Sequence, residues 1–361
     1  MLARTELIKT NSNLKFAIGF ILVANFWFAQ EATGSFQKWD RNRDGALSKS
    51  ELPNFEQFDR IDTDKDGVIS REEARVFFRF RESKPRLPDG ARVKKDVSYA
   101  PEISKSNSRL KLDIYSVKGR EGAPVCVYVH GGGWKIGDKS RVHEKAKYFL
   151  ERGYVFLSVN YRLTPEIEFP GHAKDVTRAL AWTQEHVSKH GGDPNHLILM
   201  GHSAGSHLVS FVALNTDMLK ASGVVPESIK AVIANDTQVY DIPYYESLRP
   251  FGLGKTFSDI FGNEKDGWVA ASPITYLGTR EHVPAFLLIC SSGAAGISHD
   301  QRLECAQHFA NAIEEHGGSA TVSDFPTYTH EAVNKQLGVT GDPVTLAVSG
   351  FLKTSSQDSS L

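Results

Sequence analysis

The stretch that most constrains the fold is His196-Leu197-Ile198-Leu199-Met200-Gly201-His202-Ser203-Ala204-Gly205-Ser206-His207-Leu208-Val209. Leu197 to Met200 is a short apolar run that reads as a buried strand. It breaks at Gly201-x-Ser203-x-Gly205, after which Leu208, Val209, Val212 and Leu214 follow the spacing of a helix. A buried strand that turns at once into a helix, with a serine at the tip, has the form of a nucleophile elbow. Backbone held on so tight a turn is strained. The neighbours of the serine must lack side chains if its hydroxyl is to stand clear of the sheet.

A second strand-and-turn supports the first. Pro124 to Val129 is apolar and ends in His130-Gly131-Gly132-Gly133-Trp134. Acyl transfer needs backbone N–H groups aimed at the oxyanion that develops in the tetrahedral intermediate. Consecutive glycines let the main chain approach that oxygen with no Cβ in the way. Gly131, Gly132 and the residue after the serine, Ala204, are the candidate donors. A phosphate-binding loop is disfavoured, because no Gly-Lys-Ser/Thr follows and the Gly-x-Gly-x-x-Gly spacing is absent.

From about Val97 to Leu352 the chain resembles the HGGG-bearing esterases of the α/β-hydrolase superfamily, in particular the feruloyl-esterase-like and kynurenine-formamidase-like branch. The resemblance rests on His130-Gly131-Gly132-Gly133-Trp134, Asn160-Tyr161-Arg162-Leu163-Thr164-Pro165, Phe169-Pro170, Asp175-Val176 and Gly201-His202-Ser203-Ala204-Gly205, in family order. It implies an α/β-hydrolase fold: a mostly parallel sheet with helices on both faces. The chain's own rhythm agrees. Leu110–Val117 alternates and reads as an edge strand. Tyr154–Val159, Ile229–Ala234, Pro284–Cys290 and Ala320–Phe325 read as further strands. Helices are expected at Lys145–Glu151, His172–His190, Arg302–His316 and Thr345–Lys353. The interval Asp236–Leu277 breaks this alternation, and its aromatic content reads as a lid or pocket wall.

A serine hydroxyl is a poor nucleophile without an adjacent base. Among 13 histidines, His330 lies just past the last expected strand, where the resemblance implies the base. His202 and His207 flank the elbow and read as structural. The family's acid follows the penultimate strand, yet Ser291 to His299 contains no carboxylate before Asp300. Asp300 is therefore the expected acid. Asp236, at the end of the preceding strand, is the alternative. Together these residues point to a serine hydrolase acting on a small-molecule carboxylic ester, with no cofactor in catalysis. The alternatives are an arylformamidase-like amidase, or a calcium-dependent binding protein on a degenerate hydrolase scaffold.

Upstream, two acidic loops have the pattern of calcium ligands. The first offers Asp40, Asn42, Asp44, the Ala46 carbonyl and Glu51; the second offers Asp62, Asp64, Asp66, the Val68 carbonyl and Glu73. Gly45 and Gly67 allow the sharp turn, and Leu47 with Ile69 suit a short β contact between the loops. The segment resembles a small helical EF-hand pair, with calcium as its partner in a structural or interaction role. Only Leu52 to Ile61 separate the loops, enough for one shared helix.

The uncharged run Phe16–Ala29 follows Arg4, Lys9 and Lys15, and its length suits a signal peptide better than a membrane span. Residues 1–34 are thus read as signal peptide or anchor, 35–80 as the EF-hand pair, 81–96 as linker, 97–354 as the hydrolase domain and 355–361 as a disordered tail. A secreted or periplasmic protein follows, free of the membrane once the signal is cleaved. A net charge of −1 gives no reason to expect a nucleic-acid partner, and 3 cysteines indicate no disulfide framework.

Overall fold

In the computed structural model, the residues described are 40–51, 58–62, 64–70, 73–74, 86–104, 109–249, 252, 254–279, 281–293 and 297–357. The expected signal segment and residues 81–85 of the expected linker lie outside them. The chain divides into two units, Met1–Lys84 and Pro85–Leu361.

In the first unit, Gly45 and Gly67 take positive φ, 87° and 90°, and reverse each acidic loop. The reversals bring β1 (Ala46–Ser48) and β2 (Val68–Ser70) together as an antiparallel pair, with Leu47 opposite Ile69. Both side chains are buried, as are Phe58, Ile61 and Ala74. The β contact between the loops is as the sequence suggests.

The second unit is one sheet of eight strands: β3 (Ala91–Ser98), β4 (Lys111–Val117), β5 (Ala123–Val129), β6 (Val155–Val159), β7 (Gly192–His202), β8 (Ile229–Asn235), β9 (Ala285–Gly293) and β10 (Ala320–Thr329). The order across the sheet is β10-β9-β8-β7-β5-β6-β4-β3. Only β3–β4 and β4–β6 pair antiparallel. Alternate residues of β5 serve opposite cores. Val125, Val127 and Val129 pack with the helices Gly171–His186, Ala204–Leu214 and His299–Glu315, while Cys126 and Tyr128 pack with Lys145–Glu151 and Pro343–Gln357. Burial on both faces is what continuous apolar strands require.

Two expectations are corrected. Leu110–Val117 is not the edge: β4 is flanked on both sides, and β3 is the edge strand. Residues 91–96 are therefore sheet rather than linker, and the second unit begins at Pro85. β3 exposes Arg92, Lys94, Lys95 and Asp96, and a charged edge discourages pairing with another chain. After β8 the regular alternation stops. Three short helices, Ile242–Ser247, Lys255–Phe261 and Lys265–Ala271, and a 3₁₀ segment, Pro273–Thr279, fill the interval before β9. The closing helix runs to Gln357, further than expected, and 358–361 lie outside the described residues.

Candidate active site

Ser203 stands between β7 and the helix Ala204–Leu214 with φ 55° and ψ −120°. A non-glycine residue there is strained and persists only where the surroundings impose it. They do so through close approach. A Cβ on Gly201 would lie 2.2 Å from the Gly205 oxygen, and one on Gly205 would lie 2.1 Å from the Val129 oxygen. The Ser203 N–H donates to the Asn235 carbonyl at 3.0 Å. Ser206 Oγ lies 2.8 Å from the carbonyls of both Gly201 and Asn235. The elbow is thus fastened to the end of β8. All eleven residues of the helix behind it are buried, so it is a core helix that cannot shift to relieve the turn.

The glycine loop lies against this turn. A Cβ on Gly131 would sit 3.0 Å from Ser203 Cβ and 2.7 Å from the His202 oxygen. Gly132, at φ 121°, curls the loop so that the N–H groups of Lys135 and Ile136 donate to its carbonyl. His130 Nδ1 donates to the Gly131 carbonyl at 2.8 Å, and its ring stacks on Tyr161. Burial pushes the His130 pKa down to about 4, so the ring is neutral and its Nδ1 proton braces the loop.

His330 follows β10, and its Nδ1 donates to Asp236 Oδ2 at 2.6 Å. Asp236, and not Asp300, is the carboxylate paired with this histidine. Asp300 is exposed in the first turn of the helix His299–Glu315, where an acid suits the helix dipole. The chain turns sharply after β8, with Asp236 at φ 66°, and this points the buried side chain toward the loop after β10. The rest of its shell was not foreseen from sequence. Ser291 donates to it from N at 3.0 Å and from Oγ at 2.5 Å, and Arg302 Nη2 donates at 2.8 Å. Burial alone would raise the Asp236 pKa. The His330 hydrogen bond, the Arg302 and His330 charges and the Ser291 hydroxyl outweigh it and hold the carboxyl well below its ordinary range. A buried carboxylate of this kind calls for a buried arginine, and Arg302 is the signal that could have singled out Asp236.

His202 joins the base to the elbow. Its Nε2 donates to the His330 carbonyl at 2.8 Å, and the two rings lie 4.6 Å apart. Burial pushes its pKa down to about 3, so it serves as a neutral donor. The structure thus brings Ser203, Gly131, Gly132, Ala204, Asp236 and His330 to the carboxyl ends of β5, β7, β8 and β10.

Residues 112–305, more than half of the chain, match the BD-FAE family, and this span contains the elbow, the glycine loop and Asp236. The chain belongs to the BD-FAE family. EF-hand matches cover residues 34–55 and 55–77. Esterase LipQ of Mycobacterium tuberculosis is 30% identical over 270 residues, 71% of this chain and 61% of LipQ. The probable carboxylic ester hydrolase LipM of the same organism is 42% identical over 123 residues, 33% of this chain and 28% of LipM. The chain thus spans less than two thirds of the length of either relative. Esterase B of Lactobacillus rhamnosis (HN001) superposes with a TM-score of 0.59 at 19% identity, covering 80% of this chain and 94% of that one. At that identity the likeness speaks for the fold alone.

In this BD-FAE member the aromatic interval packs onto the glycine loop. Trp134 meets Phe261 edge-on at 5.1 Å and Phe257 at 6.0 Å, while Phe169 meets Phe261 at 5.5 Å. Lys135 Nζ pairs with Asp259 at 2.7 Å. The interval is therefore packed against the loop.

The EF-hand loops carry donor sets of the kind calcium takes. Carboxylate oxygens of Asp62, Asp64 and Asp66 lie within 4.8 Å of one another. Glu51 folds back to accept from the Ser48 and Arg41 N–H groups, and Glu73 likewise from Ser70. The final glutamate of each loop is thus held by the backbone of its own loop. These residues fit a hard, oxygen-seeking cation.

Proposed function

We propose that the BD-FAE unit hydrolyses a small-molecule carboxylic ester, with Ser203 as nucleophile, His330 as base and Asp236 as the orienting acid. The observation that carries this reading is the 2.6 Å bond from His330 Nδ1 to a buried carboxylate, with the His330 ring 4.6 Å from that of His202, the residue before a serine on a strained elbow. With Nδ1 protonated, Nε2 is the basic nitrogen. It takes the Ser203 proton as Oγ attacks the acyl carbon. The N–H groups of Gly131, Gly132 and Ala204 are the proposed donors to the oxyanion. On collapse, His330 returns the proton to the leaving alcohol; water, activated by the same base, then frees the acid and regenerates Ser203. Negative Asp236 stabilises the imidazolium formed in both halves. The esterase names of LipQ and LipM support this reading. A degenerate binding scaffold would have no need of so extensive a hydrogen-bond network around Asp236, and no observation favours a formamide over an ester.

For the acidic loops we propose two calcium ions, one held by Asp40, Asn42, Asp44, the Ala46 carbonyl and Glu51, the other by Asp62, Asp64, Asp66, the Val68 carbonyl and Glu73. Their role is structural. The charge pattern of residues 1–34 supports export, and we propose that the enzyme acts outside the cytoplasm.

A fluorophosphonate probe tests the nucleophile. It should label the wild type at Ser203 and leave Ser203→Ala unlabelled, while short-chain p-nitrophenyl esters are turned over by the wild type alone. Absence of labelling, or unchanged labelling of Ser203→Ala, would overturn the assignment.

A further inference from the structure

Three metal-binding side chains converge where the helix His299–Glu315 meets the sheet. Asp324 of β10 is the direct partner of Cys290 of β9 in a parallel register, so both project from the same face. His299 begins the helix that covers that face. One donor atom from each of Cys290, His299 and Asp324 lies within 4.8 Å of the other two.

The hydrogen bonding of His299 turns its second ring nitrogen toward the carboxylate of this trio. Its Nδ1 lies 3.0 Å from the Ser291 carbonyl, which can only accept, so Nδ1 carries a proton. Its Nε2 then faces Asp324 at 3.2 Å. In the neutral ring this sets a nitrogen lone pair against a carboxylate. The contact is favourable only with a positive centre there, either a second proton or a metal ion. Cys290 offers its sulfur with no strong commitment elsewhere, since its thiol reaches the Ser291 carbonyl only at 3.8 Å.

We infer that Cys290, His299 and Asp324 form a site for one thiophilic divalent cation of the zinc class, with solvent completing a tetrahedral shell. One sulfur, one imidazole nitrogen and one carboxylate oxygen make a borderline-soft donor set that suits zinc or cobalt and not calcium or magnesium. Tetrahedral zinc with such ligands needs donor atoms roughly 3.5 Å apart, within reach of small side-chain rotations from the observed spacing. Cys290 is buried and Asp324 exposed, so the site has a dry floor and an open mouth through which the ion and its water enter. On binding, the Cys290 thiol bond to hydrogen breaks, the proton leaves to solvent and sulfur donates its electron pair to the metal. No redox change accompanies the step. Ser291 borders both sites, holding His299 with its carbonyl and Asp236 with its N–H and hydroxyl.

The test is a cobalt(II) titration of the full chain with excess calcium present to occupy the acidic loops. A sulfur-to-cobalt charge-transfer band should appear and saturate at one ion per chain, because neither the loops nor His330 offers a thiolate. Cys290→Ala should abolish the band. Asp324→Asn, at an exposed position that leaves folding intact, should weaken cobalt binding at least as much as the roughly 10–100-fold lost with an outer-shell partner. Lack of a sulfur-to-cobalt band in the wild type overturns the inference. So does a band that persists in Cys290→Ala, or cobalt affinity unchanged in Asp324→Asn.

Discussion

At the scale of single residues, the site divides into groups that do chemistry and groups that hold shape. Ser203→Ala removes the attacking oxygen, and the Ser203 side chain makes no capping hydrogen bond to the helix behind it, so turnover should fall to below about one per cent while the melting temperature barely moves. Hydrolysis of p-nitrophenyl butyrate and a thermal melt check both halves. Asp236→Asn should cut kcat by about ten-thousandfold with KM little changed, since the amide no longer holds the His330 tautomer or stabilises its charged form. It should also cost roughly 3–5 kcal/mol of stability, because Arg302 is left with an uncompensated buried charge. Asp300→Asn, on the exposed helix turn, should leave rate and stability alone. Assays of both variants at a temperature where each is folded decide between the carboxylates, and a collapse confined to Asp300→Asn would contradict the geometry. The serine and the glycines were legible because steric demands leave few residues able to occupy those positions. The acid was not, because a carboxylate reaches His330 from either of two neighbouring strand ends, and sequence order does not reveal which end points inward. The deciding partners, Ser291 and Arg302, lie 55 and 66 positions away from Asp236.

At the scale of elements, strands β5 to β9 were legible because burial on both faces writes them as unbroken apolar runs. β3 was not. It lies on the edge with Arg92, Lys94 and Lys95 exposed, so no apolar pattern separates it from a linker. The ends of β5 and β7 and the helix behind the elbow share another feature, a buried neutral histidine. Burial pushes His130 down to about 4, His202 to about 3 and His207 to about 4. All three lie below the ordinary histidine value. The unfolded chain therefore takes up these protons as pH falls through about 6.5, while the folded chain refuses them until near 3 to 4. Stability must drop across that window, by about 1.4 kcal/mol for each unit of separation at each site. Asp236 acts in the same direction lower down. Its depressed pKa adds stability above the ordinary carboxylate range, and that stability is lost as the pH falls through and below it. Urea unfolding from pH 7 to pH 4 should show the midpoint falling steadily. A flat profile would mean that these histidines are charged in the fold.

At the scale of the whole molecule, the chain joins units held together by different physics. Every group of the proposed ester site belongs to Pro85–Leu361, which has an extensive core on each face of its sheet. In the N-terminal unit the buried apolar residues described are few: Leu47, Phe58, Ile61, Ile69 and Ala74. Its carboxylates repel one another. The Asp66 amide lowers the Asp64 pKa, yet desolvation and the Asp66 and Glu73 charges outweigh it and raise the group overall. A bound cation would turn this repulsion into attraction, so in the N-terminal unit metal binding and folding are one equilibrium. Calorimetry with calcium should therefore show two transitions. Chelation should move the one belonging to Met1–Lys84 to lower temperature, or remove it, and leave the other in place. Activity toward a small ester should survive chelation, because no acidic-loop residue belongs to the proposed catalytic groups. If turnover instead vanished on chelation and returned with calcium in step with refolding of the acidic loops, the N-terminal unit would control the ester site and the proposed structural role for calcium would be wrong.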